Sequence, residues 1–438
     1  MASLTIIPGR PLRGTISVPG DKSITHRAII LTALANGVST VARYCRGEDC
    51  LNTMRAFQNL GVRIDESVEE LRVYGKGLWG LTEPSGPIDC GNSGTGIRLL
   101  TGLLAGQDFF TVLTGDESIR RRPMGRIVKP LREMGATIAG RKGGELAPLA
   151  VMGSRLRAIT YASPVASAQI KSAVLLAALF AEGTTRITEP RLSRDHTERL
   201  FQFLGIALRR EGPTLLIDGR PSVGWNAAPR LVVPGDFSAA AIFIVGATVV
   251  PGSDVTIQQV GINPTRTGLL DVMTRMGADV QLLNRREEAG EPVADIRVKS
   301  ARLRGVAIGP ELIPQTIDEF PILCVAAAVS QGETIISGEL RVKESDRIAT
   351  VSAELRAMGA QITEKHDGMV VRGLGTTEDN GRLQAARGRS HGDHRVAMSL
   401  AIAGLTASAP TLIDEAACIE TSFPAFHHTL LELLTERR

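Results

Sequence analysis

The sequence predicts an α/β protein of two similar domains, each assembled from three βαβαββ units whose central helices are buried inside sheets. Three observations predict it. One short pattern recurs five times at a near-constant interval, a second recurs six times between its copies, and the helices of the second pattern are apolar nearly all round.

The first pattern is a helix end, Met or Leu, Gly, a small apolar residue and an extended run. It is centred on Gly61, Gly135, Gly205, Gly277 and Gly359, at intervals of 74, 70, 72 and 82 residues. Each copy reads as a helix stopped by a glycine just beyond its end, followed by a strand. A period held along a whole chain marks a repeat architecture. The second pattern is an Ala/Leu-rich helix, a Gly or Pro break and a β-branched strand, over 28–41, 98–112, 173–188, 239–257, 323–336 and 397–413. The sixth copy lacks its glycine partner because the chain ends inside the next helix, at 427–434. Runs such as AVLLAALFA at 173–181 have no polar face, so they belong inside rather than on a surface. Six units divide as three plus three, with the break expected near Leu231–Pro234.

Composition narrows the function. The net charge of +4 is too small to argue for nucleic acid, and 4% aromatics leave little for base stacking. Only eight of the 50 basic residues are Lys. Arg suits bidentate grip on carboxylate and phosphate, although codon bias gives the same excess. Cys45, Cys50, Cys90, Cys324 and Cys418 form no CxxC pair and are odd in number, which points to neither a zinc site nor a disulfide framework. The start MASLTIIPGR has no signal-peptide character, and the longest apolar run, 239–250, is short of the ~20 residues that span a bilayer. A reducing cytoplasm, with no membrane or nucleic-acid partner, is the expectation.

Polar residues precede each apolar helix. The first such stretch is Pro19-Gly20-Asp21-Lys22-Ser23-Ile24-Thr25-His26-Arg27, between a short alternating run at 14–18 and the apolar run 28–35. Pro-Gly makes a turn, and Asp21 or Ser23 can cap the helix. An ammonium, a hydroxyl, a guanidinium and free N–H groups then surround one helix N-terminus, which describes a phosphate site or an ordinary capped helix with exposed charges. Gly91–Arg98, Ala162–Lys171, Pro234–Ser238, Thr316–Pro321 and His391–Arg395 occupy the corresponding places. GNSGTG at 91–96 has neither the dinucleotide-binding glycine spacing nor a Walker A pattern. Four Arg within 120–126 make either an anion clamp or a solvated loop, and 339–347 mixes Lys, Glu and Arg. His391 and His394 have no third distant partner that would argue for a metal.

GDKSITHR, GNSGTGIR, RRRPMGR, SAQIKSA, IDEFPIL, RVKESDRI and GDHRVAM stand here in the order and spacing of the 5-enolpyruvylshikimate-3-phosphate synthases, and the chain resembles that family, its class II branch in particular, along essentially its whole length. The resemblance implies an inside-out arrangement of two three-unit domains, 1–20 with 234–438 and 21–233, hinged near 19–21 and 231–234, with ligands in the cleft. It implies enolpyruvyl transfer from phosphoenolpyruvate to the 5-hydroxyl of shikimate 3-phosphate by addition and elimination, in a cytoplasmic monomer without metal or organic cofactor.

Carried over by motif, Lys22, Ser23, Arg27, Ser167, Gln169, Arg194, Asp318 and Lys343 meet shikimate 3-phosphate. Lys22, Gly94, Arg122, Gln169, Arg347 and Arg395 meet phosphoenolpyruvate. Asp318 is the expected base on the hydroxyl, with Glu344 and Lys22 moving protons at the methylene and the leaving phosphate. Two departures stand out: Ala168 replaces a second Ser, and Thr421 replaces a Lys expected against phosphoenolpyruvate. Gly94, where tolerant members carry Ala, predicts inhibition by glyphosate. The alternatives are the sister enzyme acting on UDP-N-acetylglucosamine, which uses a Lys-Asn pair where Lys22-Ser23 stands and a Cys in the loop corresponding to 115–126, and a non-catalytic anion-binding protein on the same fold.

Overall fold

The computed structural model describes residues 3–221, 224–338, 346–375 and 381–435. Contacts divide the chain into two compact units. One, here the terminal unit, contains Met1–Pro19, Pro234–Glu287 and Pro292–Arg438; the other, the inner unit, contains Gly20–Val233 and Glu288–Glu291.

Six helices form the unit interiors, labelled in chain order: α1 Lys22–Ala33, α2 Gly94–Leu104 and α3 Ala168–Ala178 in the inner unit, and α4 Phe237–Val249, α5 Phe320–Ala328 and α6 His394–Leu405 in the terminal unit. Every residue of α4 is buried, and α1 is buried from Ile24 to Ala33. Each Leu, Ile, Val or Phe so buried contributes about 1.5–3 kcal/mol. The helices approach closely. A Cβ on Gly102 of α2 would lie 2.2 Å from the Ala173 carbonyl oxygen of α3, so that crossing excludes any larger residue.

Sheets cover these helices. In the inner unit the second sheet runs Ile88–Asp89, Phe110–Thr114, Leu146–Met152, Thr137–Gly140. Its first two strands are parallel, and the rest pair antiparallel. The third sheet, over 160–218, has the same order and directions. Outer amphipathic helices, such as Glu48–Asn59 and Gly125–Glu133, end in the repeated glycines. Gly61, Gly135, Gly205, Gly277 and Gly359 all have φ between 73° and 98°, which explains why glycine recurs there.

Two strand pairings join segments far apart in the chain. The strand Arg13–Ser17, just before the first motif, pairs parallel with Asp254–Gly261 of the terminal unit. The first sheet of the inner unit instead takes Leu231–Val232, parallel to Asn36–Ala42. Each unit therefore draws one strand from across a chain crossing. The sixth sheet has three strands, with Ser3–Ile6 antiparallel to Thr411–Asp414, which lies parallel to Arg387–Arg389.

Candidate active site

In the inner unit the motif residues lie within the core helices, not ahead of them. Helix α1 begins at Lys22, because the Asp21 carboxylate accepts from Ile24 N at 2.9 Å and fixes the start. Ser93 caps α2 through Gly96 N at 2.9 Å, and Ser167 caps α3 through Ile170 N at 3.4 Å. The three N-termini are tied together by side chains. The Arg27 guanidinium on α1 donates to Ser172 Oγ on α3 and to Thr197 Oγ1, both at 2.7 Å, and back to the Ser23 carbonyl at 2.8 Å. Arg98 on α2 donates to Gln169 Oε1 at 2.8 Å, and Gln169 donates to Thr95 Oγ1 at 3.2 Å. His26 Nδ1 and Thr53 Oγ1 are 2.8 Å apart, and its Nε2 lies 3.4 Å from Ser93 Oγ. Burial drives the His26 pKa down to about 3, so the imidazole is a neutral strut.

Cations ring this convergence. Lys22 Nζ donates to Asp49 Oδ2 at 3.0 Å. Arg122 donates to Asn92 Oδ1 at 2.6 Å and to Ser118 Oγ at 3.1 Å. A Cβ on Gly94 would lie 2.8 Å from Arg98 Nη1 and 3.2 Å from Arg122 Nη1, so glycine there keeps room for both guanidinium groups. The Arg cluster at 120–126 divides: Arg120 and Arg121 are exposed, Arg122 and Arg126 half-buried. Burial lowers the Arg27 pKa to about 10, with Glu198 and Asp21 opposing and half-buried Arg194 adding to the fall. Arg27 thus remains a cation at neutral pH.

A buried charge network braces the segment that carries Arg194. Lys171 on α3 is 1% exposed; its Nζ donates to Glu189 Oε2 at 2.8 Å and lies 2.7 Å from Glu198 Oε1. It also reaches the Ser193 carbonyl at 3.4 Å, while Ser193 Oγ donates to Glu189. Burial raises the Glu198 pKa against the pull of Lys171.

The terminal unit repeats the device with a different charge balance. Asp236 caps α4 through Ser238 N at 2.7 Å, and Asp393 caps α6 through Arg395 N at 2.9 Å. Asp318, two residues ahead of α5, is 7% exposed. Among the described residues three guanidinium groups reach its carboxylate: Arg347 at 3.3 Å, Arg266 at 3.4 Å and Arg395 at 3.7 Å. Arg347 also donates from Nε to Asp393 Oδ2 at 3.0 Å and from Nη1 to the Ile317 carbonyl at 3.2 Å.

Of the residues expected from the sequence, Lys22, Ser23, Arg27, Gly94, Arg122, Ser167 and Gln169 lie at the N-termini of the inner core helices or beside them, with Arg194 within electrostatic range of Arg27. Asp318, Arg347 and Arg395 form one cluster in the terminal unit. Lys343 and Glu344 lie outside the described residues. The Thr421 hydroxyl donates locally to the Cys418 carbonyl at 2.7 Å and supplies no charge in place of a Lys. Among the described residues no three His, Cys, Asp or Glu side chains gather as a metal site would require, and no helix is long and apolar enough to cross a membrane. Sequence reasoning passed over Asp49, Lys171 and Arg266. The available signal was a lone charge inside an otherwise apolar run, as Lys171 stands before AVLLAALFA.

Comparison with known proteins places the whole chain in one family. The family model described as EPSP synthase (3-phosphoshikimate 1-carboxyvinyltransferase) matches residues 6–430. A 3-phosphoshikimate 1-carboxyvinyltransferase of Geobacter sulfurreducens is 54% identical over 97% of this chain and 98% of its own. That of Geobacter metallireducens is 52% identical over the full length of both. The solved EPSP synthase of Acinetobacter baumannii superposes with a TM-score of 0.89 at 42% identity, covering 99% of this chain and 98% of the other.

Proposed function

The chain belongs to the EPSP synthase (3-phosphoshikimate 1-carboxyvinyltransferase) family, and on that premise we propose how its residues divide the reaction. It is a transferase of the shikimate pathway that moves an enolpyruvyl group to shikimate 3-phosphate, with phosphoenolpyruvate as the other substrate. In the proposed mechanism the residues of both clusters act on this one pair of substrates.

Both substrates carry phosphate, and one carries a carboxylate beside it. Each charge-assisted hydrogen bond to such groups contributes about 1.5–3 kcal/mol. Lys22, Ser23, Arg27, Ser167, Gln169 and Arg194 hold shikimate 3-phosphate, and Lys22, Gly94, Arg122, Gln169, Arg347 and Arg395 hold phosphoenolpyruvate. Asp318 and Lys343 take the ring hydroxyls. The single observation that supports the reading is that side chains tie the three capped core-helix N-termini together, Arg27 to Ser172, Arg98 to Gln169 and His26 beside Ser93.

The Asp318 carboxylate removes the proton of the 5-hydroxyl as its oxygen bonds to C2 of phosphoenolpyruvate. A proton is delivered to the C3 methylene, giving a tetrahedral ketal phosphate. Loss of a proton from C3 and of the phosphate from C2 then restores the double bond. Glu344 and Lys22 serve these proton transfers. Three guanidinium groups stabilise the anionic form of Asp318 that a base requires. The protein works as a monomer in the cytoplasm.

Phosphate release from a mixture of shikimate 3-phosphate and phosphoenolpyruvate tests the substrates. Release with UDP-N-acetylglucosamine in place of shikimate 3-phosphate overturns the reading in favour of the sister activity. Binding of both anions without release makes the protein a non-catalytic relative.

A further inference from the structure

Arg266 is absent from every motif that pointed to the reaction, yet it lies deep in the terminal unit at 3% exposure. It sits on a tight turn in which Asn263 Oδ1 accepts from Thr265 N at 2.9 Å and from Thr265 Oγ1 at 2.8 Å, and Arg266 N donates to the Asn263 carbonyl at 2.8 Å. The turn delivers its guanidinium between the N-termini of α4 and α5. There it donates to Ser238 Oγ at 2.7 Å and stands 3.5 Å from Asp236 Oδ1, 3.4 Å from Asp318 Oδ2 and 3.9 Å from Glu319 Oε1. Ser238 Oγ in turn donates to Glu319, which is 2% exposed.

Three carboxylates therefore share one buried cation. Arg347 and Arg395 also face Asp318, but the proposed function assigns both to phosphoenolpyruvate. When a substrate phosphate or carboxylate arrives, the charge of those two groups is divided between Asp318 and the ligand. Arg266 has no such second duty. Its turn and its carboxylate partners Asp236 and Glu319 hold it against Asp318, which Arg347, itself paired with Asp393, also reaches.

We propose that Arg266 is a positioning residue for the transfer reaction: it holds the Asp318 carboxylate in place and keeps it ionised while both substrates are bound. This rests on Asp318 acting as the base. The proposed function gives Arg266 no substrate to hold, so its removal is expected to change turnover and to leave the affinity for phosphoenolpyruvate. Without it, Asp318 faces Glu319 and Asp236 with less compensation and takes up a proton more readily, since like charges raise a carboxyl pKa and an opposite charge at this range lowers it.

The test measures kcat and KM against pH for the full chain carrying Arg266→Gln, Arg266→Lys or Asp318→Asn. Arg266→Gln is expected to lower kcat at least about tenfold at neutral pH, to leave KM for phosphoenolpyruvate within about twofold, and to move the acidic limb of the kcat profile up by about one pH unit or more. Arg266→Lys keeps a charge but not the fork that spans four acceptors, so its limb moves the same way by less. If the Gln variant fails to fold, the Lys variant decides alone: an unmoved limb overturns the proposal. A raised KM for phosphoenolpyruvate with unchanged kcat also overturns it, because Arg266 would then be a binding residue. Normal turnover in Asp318→Asn overturns the base assignment itself, whereas an inactive Asp318→Asn with an unmoved limb in the Arg266 variants removes only the role given to Arg266.

Discussion

Replacing Lys171 by Met tests whether the inner unit is organised around buried charge. Lys171 Nζ lies 2.8 Å from Glu189 Oε2 and 2.7 Å from Glu198 Oε1, and the three residues are 1%, 8% and 8% exposed. Met fills a similar volume, so packing changes little. The loss is electrostatic: two carboxylates remain out of water with their shared cation gone. Breaking a buried pair by removing one partner costs about 3–5 kcal/mol, although Ser193 Oγ still donates to Glu189 and Arg210 still lies 3.7 Å from Glu198. Burial already raises the Glu198 pKa in the presence of Lys171. An acid whose folded pKa is raised loses stability as pH climbs from its unfolded value through the folded one, so the defect must be larger at pH 8 than at pH 5. Urea unfolding followed by tryptophan fluorescence isolates the right unit, because Trp79 and Trp225 both belong to it. Adding Glu198→Gln to the Met variant restores part of the loss. The network also holds Ser193 beside Arg194, and neighbouring Thr197 accepts from Arg27, so KM for shikimate 3-phosphate rises while KM for phosphoenolpyruvate does not. A destabilisation under about 1 kcal/mol, or one indifferent to pH, would refute the reasoning, since it would mean that these charges interact as surface pairs do.

Asp318→Asn removes the proposed base and is expected to abolish phosphate release while the protein still binds shikimate 3-phosphate in calorimetry; normal turnover contradicts the assignment. Gly94→Ala places a methyl 2.8 Å from Arg98 Nη1 and 3.2 Å from Arg122 Nη1, so both guanidinium groups must shift. Steady-state kinetics should then show KM for phosphoenolpyruvate rising about tenfold, the loss of roughly one charge-assisted bond, with KM for shikimate 3-phosphate unchanged. In the wild type, glyphosate inhibits in competition with phosphoenolpyruvate, and undiminished rates at high glyphosate and low phosphoenolpyruvate refute this. Burial holds the folded His26 pKa at about 3, below the ordinary 6.5, so its contribution is complete above pH 6.5 and is lost as pH falls toward 3. Unfolding of the inner unit should become easier by about 2–3 kcal/mol between pH 7 and 4.5 through this one group, and His26→Gln should remove that slope.

How much of this could be read from the chain depends on the range of the forces involved. Helix stops are local, and the five glycines carry a positive φ because the turn beyond a helix requires it. Uniformly apolar helices are also local statements, and α4 is buried on every side as its composition requires. The true start of α1 was harder to see. Asp21 and Ser23 both read as possible caps ahead of the apolar run; Asp21 is the one that caps, and what the polar residues did not show is that Arg27 is buried within the helix. Strand exchange leaves no local trace at all. Arg13–Ser17 is an ordinary strand by composition, and its partner lies some 240 residues away at Asp254–Gly261. Lys171 and Arg266 stayed hidden for the same reason, since the meaning of a buried charge is its partner. The partners of Lys171 are Glu189 and Glu198, and Arg266 reaches Asp318 across 52 residues of chain.

The two clusters hold their cations in different ways, and the difference bears on what each does. Arg27 is held by hydroxyls and a carbonyl, groups that orient a guanidinium without neutralising it. Glu198 and Asp21 offset part of its charge through space without bonding to it, and what remains suits the proposed retention of a phosphate. Arg347 and Arg266 are held by carboxylates, Asp393 and Asp318 for the first, and Asp318, Asp236 and Glu319 for the second. Their charge serves to keep acids ionised. The proposed reaction, which must bind a dianion and also deprotonate a hydroxyl, needs both kinds of cation. A single cluster of bare cations would depress the basicity of any carboxylate among them, and a fully compensated one would bind anions weakly. Removing the hydroxyls with Thr197→Val and Ser172→Ala should therefore leave Arg27 charged but unaimed, raising KM for shikimate 3-phosphate without moving the pH profile. Neutralising Arg266 should move the profile without changing that KM. Observation of both effects in either variant would show that binding and proton transfer draw on one charge reservoir, and the division of labour argued from the contacts would fail.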